Sequence, residues 1–564
     1  MRPHAIQAAV AAATAATLTA LAGCTGGPVR WADPSAPPPV SPGTDPAALA
    51  GALPDADLVG QVLMPYAYGL DAASVSSGAA AENRKVAGVD TPAQMIAKYR
   101  LGGLVLVDFS SGDATAKTNP TTNIESPEQL RKLTTGLQTA ARGLPARLPL
   151  LIGTDQEYGW VTRIKSGVTQ LPSAMALGAA ADPKLTEQGW AAAGADLAGL
   201  GINADFAPDA DVLGQAGNAV IGSRSHGTDP AAVGLQVSAA VRGLHQAGVA
   251  ATLKHFPGHG HTTADSHENL PVLSQSRAQL QAGDLPPFAA GIAAGADLVM
   301  SGHLDTRAIE PGVPASFSAK VLIDLLRKQL GFTGVVITDA MNMAPAERWP
   351  PVEAAVRALL AGNDMLLMPP NLSAVHAGLL DAVKSGRLPR ARLVEAVTRI
   401  FAVKLRLAAG PPPGPLSDVG KPDRQAAAAR LAAAAVTVLR GPCQGPLVKA
   451  PVTVTAASGR DQQRSWLVEA LKAAGVETAD SGGGRIHLVG YGDSSADLAP
   501  GAAATVAMDL PTVLAKATSP VRVATYSSTR AAMTALAAVI AGKAPAPGRS
   551  PIDVAGLPRS ACRR

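Results

Sequence analysis

Over residues 57–370 the chain alternates between short apolar runs and longer stretches whose apolar positions recur at helical spacing. The runs are "LVGQVLMPYA" around Leu58, "GGLVLVDF" from Gly102, "LPLLIGTD" from Leu148 and "GINADFAP" from Gly201. They continue with "VAATLKHF" from Val249, "ADLVMSGH" from Ala296, "GVVITDA" from Gly334 and "NDMLLMPP" from Asn363. None alternates strictly between apolar and polar, the pattern of strands buried on both faces. The stretches between them, such as 183–200 and 319–330, predict amphipathic helices. Eight strand-then-helix units predict an α/β fold, a (β/α)8 barrel over residues 53–408. An open doubly wound sheet is the alternative.

Asp155, Lys254, His303 and Asp339 each stand at the C-terminal end of one of these runs. In a barrel those ends converge on one face, where active sites lie. Residues nearly two hundred positions apart would then share a pocket, which a random scatter of polar residues would not achieve.

The Pro-rich stretch 409–422, "AGPPPGPLSDVGKP", predicts a linker. Residues 423–564 alternate again, with strand patterns at "AAVTVL", "VTVTAA", "RIHLVGYG", "AATVAMD" and "VRVATYSS" and helices around 465–474 and 530–541. They predict a smaller three-layer α/β/α sandwich. It carries no phosphate-binding glycine fingerprint and no cluster of acids or histidines, so a scaffolding or interface role is expected of it.

The other end of the chain changes the picture more. Arg2 and His4 precede an apolar, Ala-rich stretch, residues 5–22, that closes on "LAGC". It is too short for a membrane span and fits a secretory signal over residues 1–23. Residues 24–52, rich in Pro, Gly and Ser, read as a flexible tether. Export permits a disulfide, and a Cys443–Cys562 bridge is expected, with two free thiols as the alternative. Charged residues are 16% of the 564 and the formal net charge is +5, with no Lys/Arg run. Nucleic acid is therefore not an expected partner.

The densest chemistry lies in residues 254–271, "KHFPGHGHTTADSHENLP", which hold four of the ten histidines. A metal reading would recruit His259, His261 and Asp265 or His267, but no helical His pair or Cys fixes such ligands. Histidines capping loop backbone are the plainer reading. In the acid–base reading, Asp265 beside His267 fixes the imidazole tautomer and favours its protonated form. Such a pair gives a proton to a leaving group and later takes one from water. Asp339, on another strand end, is then free to act as nucleophile.

"KHFPGHG" followed by "DSH", with "TDQE" upstream and "ITDAMNM" downstream, resembles glycoside hydrolase family 3, and within it the bacterial β-N-acetylglucosaminidases of peptidoglycan turnover. The resemblance runs from about Leu53 to about Ala408 and implies the same barrel fold. It implies Asp339 as nucleophile, His267 as acid/base and Asp265 as its partner. It implies Asp155, Arg163, Arg224, Lys254 and His255 as the groups that bind the sugar, and no metal or cofactor. The "LAGC" ending resembles a lipobox, which implies lipidation of Cys24 and a membrane-anchored lipoprotein of the bacterial cell envelope. Two departures stand out: Tyr158 and Trp160 replace a Gly and an Arg of the family's "DQEGGRV" and are expected at a subsite, and Ala340 follows Asp339 where a second acid is common. Another β-glycosidase, a non-catalytic sugar-binding lipoprotein and a zinc hydrolase are the competing readings. An imidazole acid/base also leaves phosphorolysis open, because it repels phosphate less than a carboxylate does.

Overall fold

The structure is a computed structural model and describes residues 44–109, 118–214, 218, 220–262 and 264–562. The expected signal, Cys24 and the tether up to residue 43 lie outside the described residues. The rest of the expected tether is not a tether. Pro46–Gly51 is a helix, with Pro in its first turn and the Asp45 side chain accepting from the Ala47 amide. Ala50 and Leu53 are buried in the main core, and Arg390 holds Leu53 O at 2.6 Å and Asp55 Oδ1 at 2.8 Å.

Each of the eight apolar runs contributes a parallel strand: β1 Leu63–Met64, β2 Gly103–Val105, β3 Leu151–Thr154, β4 Ala204–Asp205, β5 Ala250–Phe256, β6 Leu298–Ser301, β7 Val335–Thr338 and β8 Leu366–Leu367. The strands β2 to β7 form one sheet in chain order. The β1–β8 pair closes it: Leu366 N donates to Val62 O at 2.8 Å, Val105 N to Pro65 O at 3.0 Å and Thr338 N to Met365 O at 3.0 Å. The first run is the exception in extent, since its first four residues belong to the helix Asp55–Gln61. Pro54 at its N-cap and Asp55 and Asp57 in its first turn start a helix, which overrides the apolar run that follows.

The C-terminal part builds a second sheet from β9 Thr437–Arg440, β10 Val452–Ala456, β11 Gly484–Val489, β12 Ala504–Ala507 and β13 Val521–Ala524. The order is β9-β13-β12-β11-β10, with only β9 antiparallel. Adjacent residues face opposite ways, as the strand period requires. Val438, Leu488, Val506 and Val523 pack against the helices Asp461–Ala473 and Arg530–Ile540. Leu439, Val489, Ala507 and Ala524 pack instead with Met175, Ala176 and Ala179 of the barrel helix Ala174–Ala180. The barrel thus supplies part of the third layer. The Pro-rich connection is docked on the barrel too: Gly420 N and Arg424 Nη1 both bond the buried Asp196 carboxylate, at 3.0 and 2.6 Å. Cys443 and Cys562 are disulfide-bonded. Among the described residues no helix is long and apolar enough to cross a membrane.

Candidate active site

The C-terminal ends of the barrel strands meet around a pocket. Of the residues expected there, Asp155, Arg163, Arg224, Lys254, His255, His267 and Asp339 line it. Asp265 stands behind His267. Glu157, His259 and Ser266 also line it.

The floor is a charge network. Lys254 Nζ donates to Asp155 Oδ1 at 2.8 Å and lies 2.6 Å from Glu157 Oε1. Arg224 reaches the same carboxylate through Nε at 2.7 Å and Nη2 at 3.0 Å, and its Nε is 3.2 Å from Asp209 Oδ2. Arg163 Nη2 is 3.6 Å from Asp155 Oδ2. Buried charges persist only when paired. Burial alone would raise Glu157, but Arg224 and Lys254 hold it far below the usual carboxylate range. Burial alone would lower Lys254, but Asp155, Glu157 and Asp209 more than reverse it. Asp155 keeps 21% of its side chain exposed, so this anchored carboxylate is presented to the pocket.

His255 is oriented from behind. Its Nδ1 is 2.8 Å from Asp211 Oδ2, and its Nε2 is 3.3 Å from Arg224 Nη2, which can only donate. Nδ1 therefore carries the proton. Asp211 Oδ1 also accepts from the backbone N of His255 and His259, at 3.2 and 2.6 Å. Burial would raise Asp211, but His255, hydrogen-bonded to it, and the backbone N–H of His259 bring it below the ordinary value.

The loop after β5 is held at several points. His259 has its Nε2 3.1 Å from Ser266 Oγ and its Nδ1 2.8 Å from Thr262 Oγ1, and burial lowers it to about 4, so it is neutral. His261 turns the other way, to Asp284 at 2.8 Å. His267 Nδ1 is 2.7 Å from Asp265 Oδ1, which also accepts the His267 N–H at 2.9 Å. Burial would raise Asp265, but the His267 bonds carry it below the ordinary value. With Nδ1 bound to the carboxylate, Nε2 is the atom left for proton transfer.

Asp339 follows β7, its backbone N donating to Ser301 O at 2.9 Å and its Oδ1 accepting from Ala340 N at 2.8 Å. Burial would raise its pKa, but His255, His303 and His267, with the Ala340 amide, bring it below the ordinary carboxylate value. His303 fixes this segment. Its Nε2 donates to Ala340 O at 3.1 Å, so its Nδ1 accepts from Ser316 Oγ at 2.6 Å. Burial lowers its pKa, against the pull of Asp339.

The metal ligand set read from the loop does not assemble, because His259 and His261 bind separate protein partners. Asp209, Asp211 and His255 do approach closely enough to share an ion. However, His255 Nδ1 is engaged by Asp211, and Arg224 supplies the positive charge beside Asp209.

Sequence reasoning missed Glu157, Asp209 and Asp211. Glu157 stood within the quoted "TDQE", and "DFAPDAD" places acids just past the end of β4, which is the signal that could have found them. Two expectations are corrected. Tyr158 is not at a subsite: it is buried, with its ring edge-on to Trp190. Trp160, on the same turn, packs its ring on Tyr491 of the C-terminal domain. Tyr158 and Gly159 both have positive φ, and the two substitutions on either side of Gly159 pack in the core and at the domain interface.

Residues 60–403 match the model of the glycosyl hydrolase family 3 N-terminal domain, and the chain belongs to that family. It is a glycoside hydrolase. Beta-hexosaminidase A of Pseudoalteromonas piscicida is 33% identical over 376 residues, 62% of this chain and 60% of that one. The match thus spans less than two thirds of that relative. A family 3 β-N-acetylglucosaminidase from Paenibacillus sp. str. FPU-7 superposes with a TM-score of 0.77 at 30% identity, covering 89% of this chain and 99% of its own. A β-N-acetylhexosaminidase from Beutenbergia cavernae superposes at 0.52 and 29% identity, with 98% of its length matched by 62% of this chain.

Proposed function

We propose that this glycoside hydrolase is a retaining β-N-acetylglucosaminidase that releases terminal β-linked N-acetylhexosamine from cell-wall fragments outside the cytoplasm. The observation that carries the reading is a carboxylate, Asp339, facing the same pocket as a carboxylate-backed imidazole, His267, over a floor of anchored hydrogen-bonding groups. Asp339 attacks the anomeric carbon as the glycosidic bond breaks, and His267 gives its proton to the departing oxygen. A water then donates its proton back to His267 and attacks the glycosyl ester, freeing Asp339. Two displacements retain the configuration. Asp155, Lys254, Arg163 and Arg224 hold the sugar hydroxyls, and His255 supports them. The N-acetyl preference rests on the likeness to β-hexosaminidases.

The test is turnover of nitrophenyl β-N-acetylglucosaminide and of muropeptides. Wild type releases the β-anomer first by NMR, and Asp339→Asn falls by at least about 10³-fold. Equal inertness of the two proteins leaves a sugar-binding role instead. The envelope anchor proposed at Cys24 is tested by fractionation. Cys24→Ser moves the protein from the membrane to the soluble extracytoplasmic fraction, and an unchanged distribution rejects the anchor.

A further inference from the structure

Arg224 enters the pocket from a single 3₁₀ turn, Gly222–Arg224, which has little of its own to hold it. Its turn bonds are Arg224 N to Ile221 O at 2.8 Å and Ser225 N to Gly222 O at 3.3 Å. The three residues before Arg224 all meet the C-terminal domain. Ile221 is fully buried in a cluster with Val489, Ala507, Leu514 and Tyr526. Gly222, at φ +46°, faces the Leu510 side chain, which a Cβ there would meet at 3.6 Å. Ser223 Oγ donates to Asp509 Oδ1, and both residues are buried. The next residue, Arg224, turns to Glu157 and Asp209. The same turn reaches the loop that carries His267. Asn218 Oδ1 accepts from Val220 N and Ile221 N at 2.9 and 3.1 Å, while its Nδ2 donates to His259 O at 2.9 Å and Thr262 Oγ1 at 3.0 Å.

We propose that the C-terminal domain positions Arg224 for the substrate, and that Asp509, through Ser223, is the positioning residue. The kinetic half of this rests on the reading of Arg224 as a sugar-binding group; the structural half does not. An Arg already locked in its bound geometry loses no freedom when substrate arrives, which is how a distant support improves affinity. Removing the support then weakens ground-state and transition-state binding alike, so KM rises and kcat stays.

The experiment compares D509A, D509N, S223A, D509A/S223A and T228V in the full chain. T228V removes a different interdomain bond, Thr228 Oγ1 to Pro551 O at 3.2 Å. Two quantities are read: hydrogen exchange of the peptide spanning residues 218–228, and KM and kcat on nitrophenyl β-N-acetylglucosaminide. D509A and S223A are expected to speed exchange and raise KM about tenfold, with kcat within about twofold. The double variant is expected to be no worse than either single one, because both remove one bond. D509N keeps an acceptor for Ser223 and is expected to stay near wild type. Unchanged exchange in both D509A and S223A overturns the proposal whatever the kinetics. An unchanged KM in an active, loosened D509A overturns it too, as does an equal KM rise in T228V. A wild type inert toward every β-N-acetylhexosaminide defeats the functional reading alone, since the exchange result still decides the positioning.

Discussion

Two lysines are fully buried in the barrel, and they meet opposite surroundings. Lys254 sits among Asp155, Glu157 and Asp209, and its charge is held. Lys404, on the helix Arg390–Ala409, has one hydrogen bond, 2.8 Å to the side-chain oxygen of Gln61. Gln61 is itself fixed by donating to Arg100 O at 2.9 Å. A neutral amide cannot replace the hydration of an ammonium, and burial lowers Lys404 to about 7. The unfolded lysine titrates near about 10.4. Between those values the unfolded chain binds more protons, so this residue makes stability rise with pH, by up to about 1.4 kcal/mol per pH unit. Below pH 7 its unfavourable contribution is at its full size. Lys404→Met removes the slope. Urea midpoints of both proteins at pH 7 and pH 9 check it: wild type gains about 2 kcal/mol on the variant over that interval. Parallel behaviour of the two would mean that Lys404 stays charged when folded.

The elements were legible to different depths. All eight barrel strands stand out as apolar runs, because a parallel strand covered on both faces needs apolar residues at consecutive positions. Their lengths were not legible: β1, β4 and β8 are two residues each, and the run around Leu58 opens as the end of a helix before it becomes a strand. Hydrophobicity marks what is buried, while Pro54 and the acids after it decide the conformation. Asp155, Lys254 and Asp339 were readable as partners because a barrel gathers strand ends wherever they fall in the chain. Glu157, Asp209 and Asp211 were harder, since each lies past the end of a barrel strand, Glu157 in the short strand Gln156–Tyr158 and the two aspartates in the segment after β4, where local backbone geometry decides which neighbour an acid meets. Tyr158 shows the same limit. At φ +65° it leaves the line of the hairpin and enters the core beside Trp190, which its position in the motif did not reveal.

For the molecule as a whole, the question is what keeps the C-terminal domain on the barrel, since the turn carrying Arg224 depends on that contact. The tail after residue 548 crosses between the two. Arg549 N donates to Ala179 O at 3.0 Å and Thr228 N to Pro551 O at 3.3 Å, both on the barrel side. Ile552 and Val554 are buried in the shared cluster with Met175 and Ile221. Ala561 N then returns to Val438 O of β9 at 2.7 Å, and Cys562 closes on Cys443. The strap is therefore pinned at both ends. A bond that closes a loop of 119 residues removes much of the freedom of the unfolded segment, and such bridges contribute typically about 2–4 kcal/mol. A Cys443→Ser/Cys562→Ser chain is expected to lose that amount in the unfolding transition of the C-terminal domain. Wild type in reductant should fall to the same midpoint. The order of events matters as much as the size. If the strap is what seats the domain, hydrogen exchange at residues 549–554 and at 218–228 should rise together in the variant. A variant that unfolds where oxidised wild type does would show that the apolar cluster alone holds the two parts together. The bridge also ties the fold to its compartment, because such a bond persists outside a reducing cytosol. The proposed export thus supplies the condition under which the strap, and through it the seat of Arg224, is complete.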